Sequence, residues 1–274
     1  MLRFLYLTND IKVAKVAGSE GVDWIFVDME TLGKEERQGH LDSVKSHHTV
    51  DDVRKLRTVV KPGGLLVRVD PIHDGSAKQI DEVIKAGADW IMLPMWKSTE
   101  EVLTFLNLIN GRCHTMLLLE TKKAEECLPQ VLRLHGIDRI HIGLNDLHLS
   151  YGKKFMFEVL ADGTVERICK EIKKAKIPYG FGGIGRIGGG QLPADHILGE
   201  HIRLGSSAVI LSRSFCDLRT ASISDAKAIF SSGVHELQER MKIWAAADEA
   251  ALEATRQQLC REVEQIVFGL ERNH

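Results

Sequence analysis

The stretch GVDWIFVDME, residues 21–30, decides how the chain folds, because the sequence repeats it. GADWIMLPMW opens at Gly87, GIDRIHIGLND opens at Gly136, and a looser copy, GSSAVILS, opens at Gly205. Glycine suits the left-handed residue that ends a helix. The Ile, Val, Leu and aromatic run behind it suits a strand buried on both faces. Each copy therefore marks a place where a helix stops and a buried strand starts.

Helical patterns lie between the copies. DDVRKLRTVV (51–60), AKQIDEVIKAG (77–87), TEEVLTFLNLING (99–111), AEECLPQVLRLHG (124–136) and TVERICKEIKKAK (164–176) place apolar residues three and four apart. Further strands fit at RFLYLT (3–8), LLVRVD (65–70), TMLLLE (115–120) and PYGFGG (178–183), which makes eight strands in all. Regular alternation of strand and helix implies parallel strands. Eight such units in about 250 residues is the size of a (β/α)8 TIM barrel. An open doubly wound sheet would place a Gly-rich turn after the first strand, and LTNDIK has none.

The expected organisation is a barrel catalytic domain over residues 1–220, then the final barrel helix and a C-terminal helical extension over 221–274. The extension is rich in Ala, Glu and Leu, which favour helix. Its apolar residues, among them Trp244, Leu252, Leu259, Val263, Ile266 and Leu270, need a surface to cover. That surface is either a neighbouring subunit, which would make the protein a homo-oligomer, or the barrel itself.

Composition removes several functions. A net charge of −2 gives no support for nucleic-acid or membrane-surface binding. No apolar run approaches the ~18 residues that span a bilayer. The stretch MLRFLYLTNDIK lacks the apolar core and cleavage site of a signal peptide. The five cysteines are scattered, with no CxxC pair, as expected of reduced thiols in a cytoplasmic protein.

In a parallel barrel, chemistry gathers at the C-terminal ends of the strands. Those ends carry Asp28 and Glu30, Arg68 and Asp70, Glu120, Asn145 and Asp146, then Ser212 and Arg213. Glu120 and Asp146 close adjacent strands at matching heights, so their carboxylates can converge. Two enclosed carboxylates resist joint ionisation, and a hard divalent cation such as Mg²⁺ or Mn²⁺ removes the conflict. The plainer reading has Glu120 capping a helix start or pairing with Lys122. Arg68 lies in an otherwise apolar strand and needs an anionic partner. Either a structural carboxylate such as Glu30 or a substrate oxygen can supply it.

At these residues the chain resembles the HpcH/HpaI aldolase and citrate lyase family of the phosphoenolpyruvate/pyruvate barrel superfamily. The resemblance runs from about residue 20 to 215 and rests on VDME (27–30), LLVRVD (65–70), LPM (93–95), LLLET (117–121) and GLNDL (143–147). It implies a divalent metal, Mg²⁺, Mn²⁺ or another, on Glu120 and Asp146. It also implies that Arg68 steadies a pyruvyl oxygen, and that backbone amides at Asn145 and Asp146 hold the substrate carboxylate. The implied activity is that of a metal-dependent carbon–carbon lyase, a class II type aldolase. Its substrates would be a small-molecule 2-oxo acid (pyruvate or oxaloacetate) and an aldehyde, joined or parted through a pyruvate enolate. An acyl-CoA lyase of the citrate lyase β type is the second reading, and a barrel that has become a binding module is the third.

The sequence departs from the family at one place. The aldolase branch reads Asp-Gly-Glu-His after strand two, where the His is the general base; here the text is Asp28-Met29-Glu30-Thr31. Threonine cannot take that role at neutral pH. His47 and His48 are the replacements offered by the 31–49 loop, against the plainer reading of a solvated HH pair, and Glu30 is the neighbouring carboxylate. The family also often has a polar residue two before the metal Glu, where this chain has Leu118. Gly180, Gly182 and Gly185 spell GxGxxG, but no helix opens directly behind them. They read as a loop at the barrel mouth that can hold an anion with Arg186. Arg37, in a charged loop, is a candidate for a second substrate carboxylate.

Overall fold

A computed structural model describes residues 2–33, 48–212, 215–216 and 222–272. Nine strand segments form one parallel sheet: β1 Arg3–Leu7, β2 Trp24–Asp28, β3 Leu65–Arg68, β4 Trp90–Leu93, β5 His114–Leu119, β6 Arg139–Ile142, β7 Tyr179–Phe181, β8 Gly183–Ile184 and β9 Ala208–Leu211. Their order is β7-β6-β5-β4-β3-β2-β1-β9-β8. The seventh expected strand appears as two segments, β7 and β8, separated by Gly182. That residue holds φ +58°. Its N–H donates to Ile142 O of β6 at 2.8 Å and its carbonyl accepts from Ile210 N of β9 at 3.3 Å. One glycine thus joins the two ends of the sheet, and the fold is a TIM-type barrel.

The helices are α1 Ile11–Ser19, α2 Val50–Arg57, α3 Ser76–Lys85, α4 Thr99–Ile109, α5 Lys122–Val131, α6 Leu144–Ser150, α7 Glu158–Ala161, α8 Thr164–Lys174, α9 Ala194–Leu204, α10 Ile223–Ala245 and α11 Glu249–Arg272. The glycines that open the repeated phrase, Gly21, Gly87, Gly136 and Gly205, all have positive φ, between +74° and +101°. Gly205 is the C-cap of α9, and Gly21 and Gly87 directly follow the C-caps of α1 and α3, whereas Gly136 lies four residues beyond the C-cap of α5. Caps fix several starts: Thr49 and Asp52 form a capping box on α2, and Thr121 accepts from Ala124 N on α5.

The barrel interior is filled by Leu5, Trp24, Phe26, Leu66, Met92, Met116, Leu118 and Ala208. A larger apolar layer lies between the sheet and the helices. This packing leaves room for polar groups only towards the strand ends. The extension covers part of its own barrel: α11 packs on α9 and α7, and its Leu259 and Val263 are buried. Ile243 and Phe268 on the outer side remain exposed. No helix among the described residues is long and apolar enough to cross a membrane.

Candidate active site

Asp28 and Arg68 are register partners at the ends of β2 and β3. The side chains meet as a two-bond fork, Arg68 Nε to Asp28 Oδ1 and Nη2 to Oδ2, each 2.9 Å. Glu30 Oε2 stands 3.4 Å from the same Nε. Both carboxylates are almost fully buried. Burial works against the Arg68 charge, but Asp28 and then Glu30 outweigh it and hold the guanidinium above its ordinary value. Asp28 as the main partner was missed at the sequence level. The signal was present: WIFVD and LLVR end on the same register position.

Glu120 follows β5 directly. Gly143 N donates to Leu119 O at 2.9 Å, which sets Gly143 beside it. A Cβ on Gly143 would come within 2.9 Å of Glu120 Oε2 and 3.0 Å of Glu120 Cβ, so the absence of a side chain there makes the space for the carboxylate. On its other flank, Met95 N donates to Glu120 Oε1 at 3.0 Å. Met95 holds φ +52°, an uncommon conformation for a side-chain-bearing residue. Asp146 is buried in the first turn of α6, beyond the strand end where the sequence placed it. Burial pushes the Glu120 carboxyl well above its ordinary value, and the charges of Asp146 and Glu30 add to that; Arg68 and the Met95 amide oppose it.

A cavity of about 800 Å³ opens at this end of the barrel and is lined by Arg68, Glu120, Asn145 and Asp146. Glu30 reaches the group through its ion pair with Arg68. Glu120 and Asp146 also border a second cavity of about 450 Å³ that carries Lys97 and Lys123. His141, across the β5–β6 ladder from Leu118, lines the main cavity. Its Nε2 lies 3.2 Å from Gly182 O, and burial lowers its pKa to about 4. A carbonyl only accepts, so the neutral ring carries its proton on Nε2.

Thr31 is occupied elsewhere. Its N–H and hydroxyl both donate to Asp70 Oδ1, at 2.6 and 3.2 Å. His48 accepts from the backbone N–H of Asp28 through Nδ1 at 3.0 Å. In that arrangement its neutral ring presents Nε2–H, a donor, so taking a proton requires that bond to open first. His47, Arg37 and Arg213 lie outside the described residues. Arg186 runs along α10, with Cδ 3.5 Å from the Cβ position of Gly233, while Gly182, Gly183, Gly185, Gly189 and Gly190 border the cavity themselves.

The metal ligands expected from sequence fit a hard cation. The donors are carboxylate oxygens, and the more buried of them is held towards its neutral form by burial and then by the charge of the other, a conflict a dication would relieve. Among the described residues no group of three or more His, Cys, Asp or Glu side chains is arranged to hold a metal. A cation held here would take this pair as its protein donors, with the remaining positions left to water or substrate.

The HpcH/HpaI aldolase/citrate lyase family model matches residues 2–178. An HpcH/HpaI aldolase from Desulfitobacterium hafniense DCB-2 superposes with a TM-score of 0.59 at 14% identity, covering 87% of this chain and 93% of that one. An HpcH/HpaI aldolase/citrate lyase family protein from Burkholderia cenocepacia J2315 gives 0.61 at 15%, with the same coverage of 87% and 93%. Citrate synthase SbnG gives 0.57 at 15%, covering 88% and 94%. A search of curated proteins finds no match. The structural likenesses establish the shared barrel, and the family match extends over most of its strands. The chain belongs to the HpcH/HpaI aldolase/citrate lyase family.

Proposed function

We propose that the protein is a divalent-metal-dependent carbon–carbon lyase of the class II aldolase type, making or breaking a 2-oxo acid through a pyruvate enolate. One observation carries this reading: the buried Glu120 carboxyl, pushed up by burial and by Asp146, faces the same cavity as Arg68. Glu120 and Asp146 are the residues that would hold Mg²⁺ or Mn²⁺. Such an ion supplies Lewis-acid stabilisation of negative charge developing on a substrate oxygen.

The chain's own groups do the rest. Arg68 offers a fixed positive charge to the pyruvyl oxygen, and the Asp28 fork aims it by taking Nε and Nη2. The Met95 amide fixes the rotamer of Glu120. Asn145 and Asp146 at the cavity edge hold the substrate carboxylate through their amides. Leu118 and the apolar interior below keep water from the floor. Glu30 and His48 are the proton carriers of the proposal, because Thr31 is committed to Asp70.

The expected result is exchange of pyruvate methyl protons in D2O and decarboxylation of oxaloacetate, with Mg²⁺ or Mn²⁺, both abolished by Glu120→Gln. Lack of both reactions with either metal, together with no metal binding by calorimetry, would overturn the proposal.

A further inference from the structure

The cavity of about 800 Å³ is far larger than a pyruvyl group requires. Its lining is of two kinds. Arg68, Glu120 and Asp146 are its charged residues. Phe155, Phe157, Leu192, Ile197 and Ile210, from the 155–157 stretch, from the segment that follows β8 and from β9, are its apolar ones. Phe155 and Phe157 stack edge to face, ring centroids 5.4 Å apart. Both are buried, as are Leu192 and Ile197, so this wall is packed in place. Glycines 182, 183, 185, 189 and 190 also line the cavity, and a Cβ at Gly189 would have no neighbour nearer than 3.5 Å. Among the described residues lining the cavity, Arg68 is the one cation, and its fork is held by Asp28. The neutral His141 and the polar Gln191 and Ser212 complete the lining.

We infer that the part of this cavity lined by Phe155, Phe157, Leu192, Ile197 and Ile210 is the subsite for the aldehyde partner, and that it takes an aldehyde with an apolar body. A carboxylate or phosphate on that partner would be placed against a wall of aromatic and aliphatic side chains, where an uncompensated charge is costly. An apolar body gains the burial that the wall offers. The inference rests on the lyase reading, since it names the second reactant of the same site.

The test uses the full chain with Mn²⁺ and pyruvate. Pyruvate proton exchange is measured first. Aldol addition is then followed across the unbranched aldehydes from ethanal to hexanal, with succinic semialdehyde and glyceraldehyde 3-phosphate as anionic arms. The expected result is a rise in kcat/KM of about fourfold per methylene, with both anionic aldehydes below hexanal. Leu192→Asp should flatten the series, and because the slope is a ratio within one preparation, partial misfolding does not affect it. Gly189→Phe is a second variant: the position lacks a positive φ and its nearest neighbour to a Cβ is 3.5 Å away. It should shorten the chain length at which the series peaks. Exchange accompanied by a flat series, or by preference for an anionic aldehyde, overturns the inference alone. Absence of exchange with any divalent metal overturns the lyase reading and the inference with it.

Discussion

Asp28 and Arg68 close adjacent strands at the same register position and meet through two hydrogen bonds of 2.9 Å. Glu30 adds a longer contact of 3.4 Å to Arg68 Nε. Removing one partner of a buried pair leaves an uncompensated charge, which costs about 3–5 kcal/mol. Asp28→Asn is therefore expected to lower stability by about that amount in urea unfolding. Glu30→Gln should cost clearly less, since the fork survives it. Equal losses from the two would show that the fork is not the main partner.

Gly143 makes room for Glu120. An added Cβ would stand 2.9 Å from Glu120 Oε2, 3.0 Å from its Cβ and 3.2 Å from Leu118 Cδ1. All three are side-chain atoms, so Gly143→Ala is expected to displace the carboxylate while the barrel still folds. Gly180→Ala meets backbone instead, 2.3 Å from Ala208 O, and should prevent closure of the sheet. Calorimetric titration with Mn²⁺ and circular dichroism separate the two outcomes. A Gly143→Ala protein that binds Mn²⁺ as the parent does would remove this role from the glycine.

The barrel was legible because GVDWIF and its copies set a glycine and a buried run at the start of β2, β4, β6 and β9. The parts that were not legible depend on closure and on local geometry. Nothing in PYGFGG shows that Gly182 divides the strand, because the division comes from its bonding to both β6 and β9. GLND gave Asp146, but its place on a helical turn follows from the chain leaving the sheet at Gly143. The sequence marks Asp28 as a strand-end residue, yet only the register shows that it, and not Glu30, takes the Arg68 fork. The cavity walls at Phe155, Phe157 and Leu192 lie in connections without periodicity, and no pattern announces them.

Two buried histidines should make the fold acid-sensitive. His201 stacks on Phe181 with centroids 3.9 Å apart, and its Nδ1 lies 2.7 Å from Ser206 Oγ. Burial lowers it to about 3, with His141 adding to the effect, and burial lowers His141 to about 4. The unfolded chain protonates both near their ordinary value of 6.5 while the folded chain does not. Their contribution is therefore present above 6.5 and is lost as pH falls towards 4. Each histidine adds a slope of about 1.4 kcal/mol per pH unit in that window. His201→Phe keeps the stack and removes the titration. Urea unfolding between pH 6 and 4.5 should show a slope smaller by about that amount, and an unchanged slope would contradict the assignment.

Glu120→Gln should move stability in opposite directions with and without metal. In the metal-free protein the Glu120 carboxyl is held away from its charged form by burial and by Asp146. Glutamine keeps an oxygen for the Met95 N–H and carries no charge to bury, so the metal-free variant is expected to be more stable than the parent at neutral pH. Added metal stabilises the parent by mass action, about 2.7 kcal/mol at a hundredfold excess over Kd. The variant has lost one of the pair and should gain little from the same addition. Thermal unfolding of both proteins with and without Mn²⁺ gives four transitions. The expected order places the variant above the parent without metal and below it with metal. A parent whose transition does not move with Mn²⁺, or with Mg²⁺ in its place, would show that the pair holds no cation. The raised Glu120 carboxyl would then be a neutral hydrogen-bonding group of the barrel mouth.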